Sequence, residues 1–136
     1  MQRYYDCPQV LRDFLIYHET IKGQSQLTIQ EYYLDLRMFL RFMKLMRSDM
    51  PIDTRLDDID IKKIDVEFIK HIDTVDVFDF LSYLANDRAI NPDSLAPEYG
   101  ISPSSRSRKL SAIKSFFKTF WICMKNINFI FICTSI

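Results

Sequence analysis

Ser102-Pro103-Ser104-Ser105-Arg106-Ser107-Arg108-Lys109-Leu110-Ser111-Ala112-Ile113-Lys114-Ser115-Phe116-Phe117-Lys118 reads as a helix with two unlike faces. Ser102 suits a cap and Pro103 the first helical position, where its missing N–H costs nothing. Leu110, Ile113, Phe117, Phe120 and Trp121 form an apolar stripe at helical spacing. Ser104, Ser107, Arg108, Ser111, Lys114, Ser115 and Lys118 form the other face, with no acid among them. Serine is a poor helix former. Its small size lets a helix backbone come close to a surface, with cations at the sides. That combination suits phosphate in a DNA groove. It also suits a basic amphipathic helix at a membrane surface or in a calmodulin-type target.

A second helix is expected over residues 28–47. Ile29, Tyr32, Tyr33, Leu36, Phe39, Leu40 and Met43 recur at i, i+3, i+4, i+7. Thr28 with Glu31 matches a capping box, and Ser25 is a rival cap one turn earlier. Gln30, Arg37, Arg41 and Lys44 fall in one arc opposite the apolar side. Such a stripe is either a solvated face or a second DNA-facing surface.

The remaining segments are also mostly helical. Residues 8–22 place Val10, Leu11, Phe14, Leu15 and Ile21 on one side, between Pro8 and Gly23. His18 falls near that side and is expected to be packed rather than a ligand. Residues 74–87, capped by Asp73, would bury Val77, Phe78, Leu81, Leu84 and Ala85. Residues 48–71 mix acids with isoleucines at neither period, and read as a solvated connector with one short extended piece or helical turn. Their acids lack the glycine and spacing of a calcium loop. Turn residues such as Asn91-Pro92-Asp93 and Ala96-Pro97 mark 86–102 as a long, mobile loop.

The totals fit an all-α domain. There are only 2 glycines and 5 prolines in 136 residues, too little turn chemistry for a many-stranded sheet. The formal net charge of zero argues against a nucleic-acid binder, but the distribution reverses that reading. All 18 acids lie at or before Glu98, with 12 of the 18 cations. The other six (Arg106, Arg108, Lys109, Lys114, Lys118, Lys125) follow it, so the chain divides into −6 and +6. Cys7, Cys123 and Cys133 form no CxxC pair, so neither a metal nor another cofactor is expected. Reduced cysteines and a polar N-terminus without a signal peptide point to the cytoplasm. The apolar run after Lys125 is interrupted by Asn126 and Asn128 and is too short to span a membrane.

Three segments, in order, resemble the N-terminal core-binding (SAM-like) domain of the phage-integrase, or tyrosine recombinase, family. Residues 23–42, Gly-Gln-Ser-Gln-Leu-Thr-Ile-Gln-Glu-Tyr-Tyr-Leu-Asp-Leu-Arg-Met-Phe-Leu-Arg-Phe, are similar to its pattern of Ser, then Thr, then Tyr, then Asp-Leu, then Phe. Residues 72–84, Ile-Asp-Thr-Val-Asp-Val-Phe-Asp-Phe-Leu-Ser-Tyr-Leu, are the second. Arg106-Ser107-Arg108-Lys109-Leu110-Ser111-Ala112-Ile113-Lys114-Ser115-Phe116-Phe117 is similar to the family's Arg-x-Arg-Lys-Leu-Ser-x-Ile-Arg-x-Phe-Phe. The likeness covers residues 8–120, with a longer loop at 89–102.

The resemblance implies a four-helix, all-α core-binding bundle over residues 1–120 that forms half of a clamp on double-stranded DNA. An irregular tail outside the family pattern would follow over 121–136, disordered or truncated. The implied DNA-binding residues are Ser25, Thr28, Arg37, Arg41, Ser105, Arg106, Arg108, Lys109 and Lys114. Other recombinase protomers are further implied partners. No catalytic residue is expected, because the family's Tyr nucleophile and its Arg, Lys and His-x-x-Arg assistants lie in a second domain, before which this chain ends. The expected function is therefore DNA binding in site-specific recombination or integration, by a bacterial or phage-encoded chain that is not itself an enzyme. The shift in composition near Lys118 to Trp121 suggests a lost reading frame, which the three frames of the downstream genomic DNA would test. The competing reading is a helical protein-interaction module with no nucleic-acid role.

Overall fold

In a computed structural model, residues 4–86, 89–90 and 98–125 are described, and they build an all-α domain with one short strand pair. The order is α1 (Gln9–Thr20), α2 (Gln26–Met46), a 3-10 turn (Leu56–Asp58), α3 (Val66–Lys70), α4 (Thr74–Asn86), β1 (Ala89–Ile90), β2 (Glu98–Tyr99) and α5 (Pro103–Lys125). Helix α2 packs on α1, α4 and α5, and α5 also touches α1 and α4, so these two helices form the centre of the bundle.

Local chemistry sets the boundaries. Ser25, not Thr28, caps α2: its Oγ accepts from the Thr28 N–H at 3.2 Å, so the helix starts a turn earlier than the capping-box reading. At the start of α4 the two aspartates cap reciprocally, Asp76 N–H to Asp73 Oδ1 at 3.0 Å and Asp73 N–H to Asp76 Oδ2 at 2.9 Å. Gly100 stands at φ +85°, where a β-carbon would lie 2.2 Å from the Ala85 carbonyl oxygen. That close approach lets the Ile101 N–H donate to Leu84 O at 2.8 Å and brings the chain back beside α4. The expected loop at 86–102 contains one antiparallel pairing, Ala89 with Tyr99 and Ile90 with Glu98. Residues 87–88 and 91–97 lie outside the described part.

The core is aromatic and aliphatic. Leu11, Phe14 and Leu15 of α1, Leu36, Phe39, Leu40 and Met43 of α2, Phe80 and Leu84 of α4, and Ile113, Phe116 and Phe120 of α5 are all buried. Phe39 meets Phe80 edge-on at 5.2 Å between ring centres, and Phe14 meets Phe116 at 5.4 Å. Burying each such side chain contributes about 1.5–3 kcal/mol. His18 is buried too, with Nδ1 donating to Gln24 Oε1 at 2.7 Å and Nε2 accepting from the Thr119 hydroxyl at 3.2 Å.

Several expectations are corrected. On α5 the buried positions are Lys109, Ala112, Ile113, Phe116 and Phe120, whereas Leu110 and Phe117 are half-buried and Trp121 is exposed. The stripe is rotated because Phe116, not Phe117, meets Phe14 of α1. On α4, Phe80 is inside and Phe78 is 62% exposed, because Phe80 faces the α2 rings Phe39 and Phe42. Ile21 is likewise exposed, since α1 ends at Thr20. The 48–71 connector is not simply solvated: Ile59, Ile61, Ile64 and Ile69 are buried while Asp57, Asp58, Asp60 and Asp65 face water. Asp65 caps α3 there, accepting from Phe68 N–H at 2.9 Å. Helix α5 continues five residues into the expected irregular tail, with Met124 packed against the core. Residues 126–136 of that tail lie outside the described part.

Candidate nucleic-acid interface

The outer face of α5 is open. Ser104, Ser107, Arg108, Ser111, Lys114 and Lys118 are all exposed. Lys114 and Lys118 pair with no acid among the described residues. At the helix start, Ser102 Oγ accepts from the Ser105 N–H at 3.3 Å, which fixes the first turn.

Between α5 and α2 runs a groove of about 770 Å³. Arg37, Arg41, Arg55, Arg108 and Lys109 line it with Ser105, against Asp35, Asp53 and Asp57. The structure thus brings together Arg37, Arg41, Ser105, Arg108 and Lys109, five of the residues the sequence singles out. Ser25, Thr28, Arg106 and Lys114 are not part of its lining.

The cations in this groove already hold anions. Asp35 of α2 is almost fully buried and accepts from Lys109 Nζ at 2.6 Å. Arg108 donates to the same carboxylate through Nε and an NH2 nitrogen, both at 3.2 Å. The bond and charge of Asp35 push the Arg108 guanidinium further above its ordinary value. Arg108 keeps a side chain 49% exposed, whereas Lys109 keeps only 7%. The structure places Lys109, expected as a DNA contact, as a buried tie between α2 and α5.

From α2, Tyr33 and Arg37, two residues to either side of Asp35, hold Asp6, which accepts from Arg37 at 2.8 Å and from the Tyr33 hydroxyl at 2.6 Å. Burial works to raise the Asp6 carboxyl, but these two bonds outweigh it and hold the group below the usual carboxylate range. Arg41 lies 3.9 Å from Asp6 and 3.4 Å from Asp57. Lys44, on the same stripe, donates to the Asp60 carbonyl, and Arg47 donates to Asp76 at 2.6 Å. Much of this stripe therefore ties α2 to neighbouring segments instead of standing free.

The other sequence-derived residues have local roles. Ser25 and Thr28 share a side-chain hydrogen bond of 3.0 Å at the start of α2. Arg106 donates to the Ile101 carbonyl at 2.9 Å. Sequence reasoning missed Asp35, Asp6, Tyr33 and Asp57 as parts of the site. One signal was available for Asp35: it sits inside the apolar stripe of α2, beside Leu36, where an acid requires a partner.

Among the described residues, no group of three or more His, Cys, Asp or Glu could hold a metal ion. No described helix is long and apolar enough to cross a membrane.

The chain is similar to tyrosine recombinase XerC of Caldanaerobacter subterraneus subsp. tengcongensis, with 34% identity over 110 residues. That match covers 81% of this chain and 28% of the relative, so the chain spans little more than a quarter of that recombinase. The likeness agrees with the resemblance carried by the three motifs. No family model and no solved structure matches the chain.

Proposed function

We propose that this chain, related to a tyrosine recombinase, binds double-stranded DNA through α5 and the adjoining edge of α2, as the DNA-holding N-terminal part of a recombinase. The observation that carries this reading is the open face of α5, where serines alternate with Arg108, Lys114 and Lys118 and no acid intervenes. Small hydroxyls allow close approach of the helix, and unpaired ammonium groups neutralise phosphate. The core-binding (SAM-like) assignment, the residue 1–120 domain and the partnership with other recombinase protomers belong to this same proposal.

Arg106, Arg108, Lys114 and Lys118 are four cations available to phosphate, which implies a log–log salt slope of about −3.6. Affinity should sit in the non-specific range of ~10⁻⁴–10⁻⁶ M. The test is duplex titration of a variant with Lys114→Ala and Lys118→Ala at two salt concentrations. Neither lysine has an acid partner among the described residues to orphan, so the fold is retained while the slope flattens by about 1.8. Binding unchanged in affinity and slope would remove α5 from the interface.

An apolar groove of about 400 Å³ between α1 and the C-terminal half of α5, lined by Val10, Phe14, Phe120 and Met124, supports the protein-interaction module as a second reading. It would give association that is indifferent to salt and to DNA.

A further inference from the structure

We infer that Tyr33, Arg37 and Arg41 form a phosphodiester subsite, and that Asp6 fills it in the free protein as a tethered competitor. The inference rests on the DNA reading above and extends it along α2. The donor set suits a tetrahedral anion with two unshared oxygens. Tyr33 donates to one carboxylate oxygen of Asp6 at 2.6 Å, and Arg37 donates to the other at 2.8 Å. Arg37 is held in place from below, its guanidinium 4.9 Å above the Tyr33 ring and donating to the Tyr33 oxygen at 2.9 Å.

Arg41 supplies an independent sign that the carboxylate is an imperfect occupant. Its side chain is only 13% exposed, yet it approaches its acids no closer than 3.4 Å. Its Nε is buried with no hydrogen-bond partner among the described residues. A buried guanidinium without short bonds is costly, and a phosphate, larger than a carboxylate and bearing more oxygens, would reach both arginines. Arg37 and Arg41 line the same groove as Ser105 and Arg108, so the subsite continues the surface proposed for DNA.

The segment that delivers Asp6 is built as a strap. Tyr4 stands at φ 58°, a left-handed conformation disfavoured for a side-chain-bearing residue. The Cys7 N–H closes the turn onto Tyr4 O at 3.0 Å. The Tyr4 ring packs 4.8 Å from Tyr33, and Cys7 is buried. DNA then displaces a carboxylate from Arg37 and Arg41, and the freed carboxylate offsets part of the charge that the two arginines bring to phosphate. That offset reduces their contribution to the salt dependence.

Duplex titration of Asp6→Asn and Asp6→Ser against the parent chain tests this. With the tethered anion gone, the arginines neutralise phosphate without that offset and one to two more condensed counterions leave the DNA, so the slope should steepen by about 0.9–1.8. Affinity should rise about 1.5- to 5-fold at low salt, the strength of one partly exposed ion pair. In the unmodified chain, the Asp6 carboxyl carbon resonance should move on saturation with duplex, a readout that needs no variant to fold. A resonance that stays put, or variants with the parental slope, overturns the inference. If Lys114→Ala with Lys118→Ala weakens binding while Asp6 changes do nothing, this inference alone fails. If no form binds duplex DNA, it fails together with the reading it rests on.

Discussion

Replacing Asp35 by leucine should remove a large share of the domain's stability, and replacing Lys109 at the same time should restore it. Asp35 is 1% exposed, and Lys109 beside it keeps 7% of its side chain exposed at 2.6 Å. Asp35→Leu strands the Lys109 ammonium with no carboxylate, and breaking a buried pair this way costs about 3–5 kcal/mol. A domain of this size has roughly 5–15 kcal/mol in total. With a urea dependence of about 2 kcal/mol per molar, the unfolding midpoint should fall by about 1.5–2.5 M. Adding Lys109→Met removes the orphaned charge and fills the space with a thioether chain. Such exchanges of buried ion pairs for apolar groups are often neutral or stabilising by about 1–4 kcal/mol. Urea melts followed by circular dichroism on the two single variants and the double variant complete the cycle. A loss below about 1 kcal/mol for Asp35→Leu alone would mean that Lys109 escapes to water and the buried tie does not exist. Lys109→Met also tests the placement from the other side. It should leave the DNA salt slope unchanged, because a buried ammonium neutralises no phosphate.

Two more outcomes follow from the same packing. Burial depresses the His18 imidazole below its ordinary 6.5, partly offset by the bond to Gln24 and reinforced by the nearby Lys22. The unfolded chain therefore takes up the proton first, so stability present above about pH 6.5 is lost as pH falls through the folded value. Urea midpoints compared at neutral and mildly acidic pH should show this loss, and His18→Gln should abolish it in that window. Gly100→Ala places a β-carbon on the Ala85 carbonyl at a φ of +85°, and breaks the turn behind α4. It should cost at least about 2 kcal/mol, and a midpoint equal to the parent's would show that the chain relaxes there freely.

Periodicity placed the four longer helices because their apolar residues recur every three to four positions and their ends carry caps. It failed where a rotation of one residue decides which ring is inside. Phe116 and Phe117 both fit a helical stripe, and only the position of Phe14 on α1 selects Phe116. Phe78 and Phe80 pose the same choice, settled by Phe39 and Phe42 of α2. In the 48–71 segment Ile59, Ile61 and Ile64 are buried outside any helix or strand, so no period exists to be read. Helix α3 was within reach, since Asp65 precedes Val66-Glu67-Phe68-Ile69 as a cap should, but five residues are too few for an amphipathic signal.

The candidate site was legible in its cations and illegible in its acids. Arg37, Arg41, Arg108 and Lys109 stand out locally by type and spacing. Their partners Asp6 and Asp35 lie 31 and 73 residues from Arg37 and Arg108 along the chain, and only the packing of α2 brings them into contact. The split of the chain into an acidic part and a basic end is therefore not a separation in space. Acids from the first part reach into the groove between the two helices and neutralise its waist, while the outer face of α5 stays bare. Fixed neutralisation at the waist holds α2 and α5 in register through Asp35, at the cost of one cation withdrawn from the surface. Reversible neutralisation at Asp6 leaves two cations in reserve. The distinction predicts opposite behaviour from two aspartates in one groove: removing Asp35 damages the fold, and removing Asp6 sharpens the response to DNA.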